Sequence, residues 1–228
     1  MATFVLVHGA WHGSWCWKRV RRALQQQGHE VFTPTLTGIG ERAHLLARSV
    51  NLETHTYDVV NLIRWEELDD IVLCGHSYGG MVVTGVADRL PERIRSLVYL
   101  DAFVPENGEC LAQFAPIADE ELVEGWKCKP ITAEAFGVNP ADRDWVDRQC
   151  TLQSVACFQQ PARLGAAMAQ ISRVTYVYAS AWAGGHSPFE PFYEKAKARG
   201  WHTRDMDCGH DLMLDRPADV TRVLLESL

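Results

Sequence analysis

Several features typical of other protein classes are missing from this sequence. No apolar run comes close to the length of a transmembrane helix, which is about 20 residues. The first residues lack the basic stretch of a signal peptide. The seven cysteines are odd in number and show no CxxC spacing, which argues against a disulfide framework and a zinc site. We therefore expect a cytoplasmic protein with reduced thiols, no membrane association, no metal and no other cofactor.

Positive charge is scarce as well. The chain has 22 Lys and Arg against 29 Asp and Glu, a formal net charge of −7. Because nucleic-acid phosphates demand clustered basic residues, this balance argues against a nucleic-acid partner. The 228 residues, 47% of them hydrophobic, are enough for one domain with a large core.

Short apolar runs alternate with helical periodicity along most of the chain. The runs predict six strands, at 3–8, 29–35, 70–74, 95–103, 174–179 and 201–206. The periodic segments between them predict helices, including 15–27, 53–66, 189–199 and 217–227. Such alternation is typical of an α/β protein with a mostly parallel six-stranded sheet flanked by helices.

The alternation stops after Pro105 and resumes near residue 172. Residues 105–171 show short helical stretches and no convincing strand. Long insertions in compact domains usually form lids or binding elements. We therefore predict a core formed by 1–104 and 172–228, with a helical lid inserted at 105–171.

The strongest chemical signal is Gly75-His76-Ser77-Tyr78-Gly79, placed between a predicted strand and a predicted helix. A sharp strand-to-helix turn lifts a serine hydroxyl above the sheet, and side chains two residues away would collide. This arrangement predicts that Ser77 is a nucleophile.

A second signal follows the first strand, at His8-Gly9-Ala10-Trp11. Acyl transfer needs two backbone N–H donors for the oxyanion, one after the nucleophile and one from a neighbouring loop. We assign these donors to Tyr78 and Ala10. His8 and His12 are expected to shape this loop rather than to catalyse.

The general base should follow the lid, because the triad order in such folds is serine, acid, histidine. Three histidines qualify: His186, His202 and His210. His202 falls inside a predicted strand and His186 in a glycine-containing loop. His210 follows the last strand, where functional loops of parallel sheets gather, and is the predicted base.

These motifs resemble a known family. Matching segments are Phe4–Gly13, Gly75–Gly80, Leu100–Pro105 and Gly209–Asp211. They resemble the α/β-hydrolase branch of plant methylesterases and hydroxynitrile lyases and, more closely, bacterial pyrethroid- and carbendazim-hydrolysing esterases. The resemblance implies an α/β-hydrolase fold and cleavage of esters or carbamates of hydrophobic, often aromatic, small molecules.

The acid of the triad departs from that family's pattern. The loop after the strand at 174–179, where the resemblance implies an Asp, carries no carboxylate, and Trp182 stands near that position. Asp101 ends the preceding strand, and a buried Asp needs a partner. We predict Asp101 as the acid, with Glu190 and a helix-capping role for Asp101 as alternatives.

The same comparison bears on a lyase activity. The resemblance implies that hydroxynitrile lyases carry a Lys after the base histidine to hold cyanide, whereas this chain has Asp211 there. A carboxylate would repel cyanide, so hydrolysis is favoured. Asp211 itself is expected to cap the following turn.

Aromatic residues predict a hydrophobic pocket for an ester substrate. Candidate substrate-binding residues are Trp11, Phe103, Trp126, Trp145 and Trp182. Two functions stay open at this point: a carboxylesterase acting through Ser77, Asp101 and His210, or a non-catalytic small-molecule-binding protein on the same scaffold.

Overall fold

Six of the predicted strand segments become the strands of one parallel sheet in the computed structural model, which describes residues 1–182 and 187–228. The strands are β1 (Thr3–Val7), β2 (Glu30–Phe32), β3 (Ile71–His76), β4 (Ile94–Leu100), β8 (Val174–Ala179) and β9 (His202–Met206). Their order across the sheet is β2-β1-β3-β4-β8-β9, and every neighbouring pair is parallel. The predicted six-stranded parallel sheet is confirmed.

Helices connect the strands as the periodicity predicted. They are α1 (Lys18–Gln26), α2 (Leu52–Trp65), α3 (Gly79–Arg89), α6 (Glu190–Ala198), α7 (Leu212–Asp215) and α8 (Pro217–Glu226). A 3-10 turn at Ser14–Trp17 precedes α1. The Asn51 side chain caps α2 by accepting from the Thr54 backbone N–H, and the Thr54 hydroxyl accepts from the Asn51 N–H in return. None of the helices in the described part of the chain is long and apolar enough to cross a membrane.

The core lies on both faces of the sheet. Along β1, Val5 and Val7 point to one face and pack with residues of α2 and α3, whereas Phe4 and Leu6 point to the other and pack with residues of α1 and α8. All four side chains are fully buried. Because both faces are covered, the four central strands read as mainly apolar runs rather than as alternating ones, whereas the edge strands β2 and β9 are more exposed.

The segment 105–171 lies between the adjacent strands β4 and β8, but it is not wholly helical. It contains short 3-10 turns, α4 (Arg143–Gln149), α5 (Ala156–Gln159) and a three-stranded antiparallel sheet of β5 (Leu122–Val123), β6 (Lys127–Cys128) and β7 (Gln153–Ser154). The expectation that this segment has no strand was wrong. Strands of two residues are too short to leave an alternation of polar and apolar residues.

Candidate active site

Ser77 occupies the sharp turn between β3 and α3. Its φ is +54°, a left-handed conformation that serine rarely adopts. Two backbone hydrogen bonds hold this turn: the Ser77 N–H donates to the Leu100 carbonyl at 3.2 Å, and the Phe103 N–H donates to the Ser77 carbonyl at 3.2 Å. The last residue of β4 and the segment that follows it therefore maintain the strained backbone of Ser77.

The glycines around Ser77 are required by close packing. A Cβ on Gly75 would lie 2.6 Å from Val83 Cγ2, and one on Gly79 would lie 2.7 Å from the carbonyl oxygens of Val7 and His8. Neither distance is compatible with a real side chain. The structure thus shows the steric crowding around Ser77 that the glycines of the motif predicted.

The two predicted oxyanion donors border the same cavity as Ser77. Ala10 and Tyr78 both line it, and in residues 1–182 and 187–228 no acceptor is bonded to either backbone N–H. The Tyr78 side chain is fully buried, and its hydroxyl donates to His55 Nδ1 at 2.8 Å. Both N–H groups are consequently available to an oxygen above Ser77.

His210 is paired with Asp101. Its Nδ1–H donates to Asp101 Oδ2 at 2.7 Å, and the Ala179 N–H donates to Asp101 Oδ1 at 3.2 Å. Asp101 directly follows β4 with φ +43°, and its N–H donates to the Val177 carbonyl at 2.7 Å. The carboxylate comes from the strand next to the one carrying Ser77, as the sequence predicted.

Burial sets the protonation of this pair. Removal from water lowers the pKa of His210 to about 3, so its imidazole is neutral near pH 7. Burial raises the pKa of Asp101 well above its ordinary value, while the N–H donor of Ala179 opposes that shift. With Nδ1–H donated to Asp101, the free electron pair of His210 is on Nε2, as a general base requires.

Aromatic rings hold His210 in this orientation. Phe189 stacks on its ring with a centroid distance of 4.8 Å and an angle of 12°, and Trp182 meets it edge-on at 5.1 Å. Phe136 lies 5.0 Å away on a third side. Such a cage excludes water and limits rotation of the imidazole.

Ser77 and His210 line one cavity of about 560 Å³. Its wall is mainly apolar and aromatic, and Glu120 and Lys129 add two charged side chains. Three of the predicted substrate-binding residues, Trp11, Phe103 and Trp182, belong to this wall. Residues that sequence reasoning did not single out for the wall include Leu111, Ile117, Cys128 and Phe189.

Two other predicted substrate-binding residues lie outside the cavity. Trp126 packs beneath the cations of Arg48 and Lys127, and Trp145 meets Trp15 edge-on with centroids 5.1 Å apart. Trp145 borders a separate surface depression with Arg19. Their assignment to the pocket was wrong, because an aromatic residue of an insertion can pack on its outer side as readily as on its inner side.

The alternative site residues fall elsewhere. Glu190 is exposed at the start of α6, and His202 is exposed in β9. His186 lies outside the described residues. Over the ranges that are described, no group of three or more His, Cys, Asp or Glu side chains could hold a metal ion.

Asp211 departs from its predicted role. It precedes α7, yet its side chain makes no capping hydrogen bond. Instead Oδ2 contacts His12 Nε2 at 3.1 Å, and both side chains are buried. The sequence signal was present, since a charged residue beside the base histidine needs a partner when buried, but only the fold identifies that partner.

The chain matches known proteins over nearly its whole length. The model of the alpha/beta hydrolase family matches residues 4–223. A carbendazim hydrolyzing esterase of Nocardioides sp. (strain SG-4G) is 45% identical over 240 aligned residues, which cover 98% of each protein. Methylesterase 1 of Arabidopsis thaliana is 30% identical over 142 residues, covering 60% of this chain and 54% of that protein.

Solved structures share the fold at low identity. An extracellular alpha/beta-hydrolase from a Paenibacillus species superposes with a TM-score of 0.86 at 23% identity, covering 100% of this chain and 99% of that one. A pyrethroid hydrolase from Sphingobium faniae JZ-2 has a TM-score of 0.76 at 19% identity, covering 99% and 96%.

The chain therefore belongs to the alpha/beta hydrolase family. Within that family its full-length relationship to an esterase makes it an ester-cleaving hydrolase. The family and the activity class that the motifs predicted are confirmed.

Proposed function

We propose that this chain is a serine esterase in which Ser77 is the nucleophile, His210 the general base and Asp101 the acid. The observation that carries the proposal is the 2.7 Å hydrogen bond from His210 Nδ1 to Asp101, in the wall of the cavity that Ser77 also lines. It supplies the carboxylate partner that is missing from the loop after β8.

The reaction follows from this geometry. Ser77 Oγ attacks the ester carbonyl carbon while its proton passes to His210 Nε2, and the carbonyl oxygen becomes an oxyanion facing the Ala10 and Tyr78 N–H groups. Collapse breaks the ester C–O bond, and His210 returns the proton to the leaving alcohol. A water then gives its proton to His210 and attacks the acyl-enzyme, which releases the acid and restores Ser77.

We propose hydrophobic, often aromatic, small molecules as substrates. The apolar wall with Trp11, Phe103, Phe158 and Phe189 favours an aryl or alkyl group beside the scissile bond. The relative named for carbendazim hydrolysis supports carbamates as a second substrate class. We further propose that residues 105–171 act as the lid of this pocket, over a core of 1–104 and 172–228.

The seven cysteines support a reducing compartment. None of the seven forms a disulfide in the described residues, and five of them are buried. Burial raises the pKa of Cys157 to about 12, which makes it a poor nucleophile. Cytoplasmic localisation is the proposal that fits this chemistry best.

A fluorophosphonate probe tests the nucleophile. We expect stoichiometric labelling of Ser77, located by peptide mass spectrometry, and turnover of aryl and alkyl esters in a panel with carbamates and lactones. Ser77→Ala is the matched control and should lose both labelling and turnover. An unlabelled Ser77 in a folded wild-type chain would instead support a binding protein on a hydrolase scaffold.

A further inference from the structure

His12 is buried between two hydrogen-bond acceptors. Its Nδ1 lies 2.7 Å from the Ala10 carbonyl oxygen, and its Nε2 lies 3.1 Å from Asp211 Oδ2. A carbonyl oxygen and a carboxylate oxygen only accept, so each ring nitrogen must carry a proton. The two contacts therefore need one proton more than a neutral imidazole and a carboxylate carry together. Burial by itself would raise the pKa of Asp211, but the charge and hydrogen bond of His12 outweigh it and lower that pKa, so the proton lies on His12 as an imidazolium, 1% exposed, against a fully buried carboxylate.

The other buried histidines with two partners differ from His12. The Nδ1–H of His8 donates to the Gly9 carbonyl at 2.8 Å, while its Nε2 accepts from the Leu36 N–H at 3.1 Å. His55 accepts from the Tyr78 hydroxyl and donates to the Thr37 carbonyl. A neutral imidazole has one N–H donor and one nitrogen acceptor, which satisfies both partners of His8 and of His55. Among these three histidines, only His12 needs a charged ring.

Asp211 is suited to hold that charge. Its Oδ1 has no hydrogen-bond partner within the described part of the chain, although His76 Nε2 lies 3.8 Å away. His76 Nε2–H instead donates to the His210 carbonyl at 2.9 Å. His12 is thus the direct hydrogen-bond donor to this buried carboxylate, and an unpaired carboxylate there would be very costly.

The titratable groups around the pair do not supply the charge. The neighbours of His12 are His8, His76 and His210, and Cys16 and Cys150 face Asp211. Burial lowers the pKa of His8, His76 and His210 and raises that of both thiols, which favours their neutral forms. For His12, burial by itself lowers the pKa, but the charge of Asp211 outweighs it and the pKa is raised.

The position of His12 connects this charge to the oxyanion loop. Trp11, between Ala10 and His12, has φ +62°, a conformation that a bulky residue strongly disfavours. The bond from His12 Nδ1 to the Ala10 carbonyl closes the turn around Trp11. Asp211 anchors the other side of the ring and is the direct neighbour of His210 in the chain.

We infer that His12, held as an imidazolium by Asp211, is a positioning residue that fixes the oxyanion loop relative to the loop of the base histidine. The inference rests on the proposed role of Ala10 as an oxyanion donor. Removing the bond to the Ala10 carbonyl frees the turn around Trp11 and moves the Ala10 N–H from its place above Ser77. Of the aromatic wall only Trp11 belongs to this turn, so Phe103, Phe158 and Phe189 still bind the substrate.

The protonation of His12 can be read without any activity. In the full-length chain labelled with ¹⁵N-histidine, long-range ¹H–¹⁵N spectra at pH 7 should show His12 with both ring nitrogens protonated. In Asp211→Asn the amide can donate to Nε2, so every hydrogen bond is kept while the charge is removed, and His12 should carry one ring proton, on Nδ1. A wild-type His12 with a single ring proton overturns the inference.

A pair of isosteric variants separates the two bonds of His12. The amide nitrogen of Asn mimics Nδ1 and can still donate to the Ala10 carbonyl, whereas that of Gln mimics Nε2 and reaches only Asp211. We expect His12→Gln to lower kcat about 10- to 100-fold with little change in KM, since a small misplacement of a catalytic donor costs that much. His12→Asn, combined with Asp211→Asn so that no carboxylate is left unpaired, should retain most of the turnover that His12→Gln loses.

Equal losses of kcat in two folded variants, or a loss confined to KM, would overturn the positioning role. If circular dichroism shows that His12→Gln does not fold, the spectra of wild type and Asp211→Asn still decide. Fluorophosphonate labelling of Ser77 keeps this test separate from the proposed function, because an unlabelled wild-type Ser77 contradicts the esterase mechanism while the protonation of His12 stays measurable.

Discussion

At the scale of single residues, three of the six non-glycine residues with positive φ in the described part of the chain lie at the proposed catalytic site. Trp11, Ser77 and Asp101 have φ of 62°, 54° and 43°, and each borders the nucleophile, the oxyanion loop or the base. A non-glycine residue held in this region costs about 1–3 kcal/mol, and it persists only where its surroundings require it. Here hydrogen bonds from neighbouring loops and strands hold these three residues in that conformation.

Asp101→Asn should reduce turnover far more than stability. The amide can still occupy the site, but it favours the wrong tautomer of His210 and does not stabilise the imidazolium formed during the reaction. By analogy with other triads we expect kcat to fall about 10⁴-fold, measured with an aryl ester at pH 7. Glu190→Gln, at the exposed alternative, is the control and should leave kcat unchanged. If Asp101→Asn retained full activity, Asp101 would not be the acid.

At the scale of elements, the close approach of α3 to the strand ends decides where Ser77 stands. Gly80 is the second residue of α3 and lies beside the chain that follows β4. A Cβ there would overlap the Phe103 carbonyl oxygen and approach Ala102 Cβ to 2.9 Å. The backbone N–H of the same residue, Phe103, donates the hydrogen bond to the Ser77 carbonyl. Helix position and nucleophile geometry are therefore coupled.

Gly80→Ala tests this packing. Because backbone rather than a flexible side chain lies in the way, we expect a destabilisation of about 3 kcal/mol, together with loss of Ser77 labelling. The measurement is urea unfolding followed by circular dichroism. Gly165→Ala is matched, since its Cβ would lie 3.6 Å from the Asp88 carboxylate oxygens on the surface, and should change stability by less than about 0.5 kcal/mol. A harmless Gly80→Ala would contradict the close packing.

At the scale of the whole molecule, buried histidines make folding depend on pH. Burial lowers the pKa of His8 to about 3, of His55 to about 4, and of His76 well below its ordinary value. In the unfolded chain these histidines have a pKa near 6.5. Below that pH the unfolded state therefore binds protons that the folded state does not bind. Their contribution to stability is present above pH 6.5 and is lost as the pH falls towards the folded values.

Acid should therefore unfold this protein at mild pH. As the pH falls from about 6 to about 4, we expect His8, His55 and His76 together to lower the free energy of unfolding by about 4 kcal/mol per pH unit. The lowered pKa of His210 and the raised pKa of Asp101 change stability in opposite directions as the pH falls, so this pair adds no comparable slope. Urea unfolding across this range measures the slope, which His55→Gln should reduce by about 1.4 kcal/mol per unit. His202→Gln, on the exposed edge of β9, should leave it unchanged, and a flat profile in the wild type would contradict the prediction.

Local signals in the chain were sufficient to predict the architecture and to select Ser77 and His210 as candidates. Apolar runs separated by helical periodicity predicted the parallel sheet, because burial on both faces forces that pattern. The glycine spacing around Ser77 and the placement of His210 after the last strand predicted which residues border the cavity. These features are encoded over a few residues, where steric and burial constraints act directly.

Long-range packing decided the rest. The sequence by itself determined the family, the nucleophile candidate and the parallel core. Only the tertiary structure showed that Trp126 and Trp145 lie outside the cavity and that the insertion contains two-residue strands. It also showed that His12 and Asp211, 199 positions apart in the chain, are hydrogen-bonded. The physical reason is that side-chain direction in an irregular insertion, and the partner of a buried charge, depend on distant segments that leave no periodic trace in the sequence.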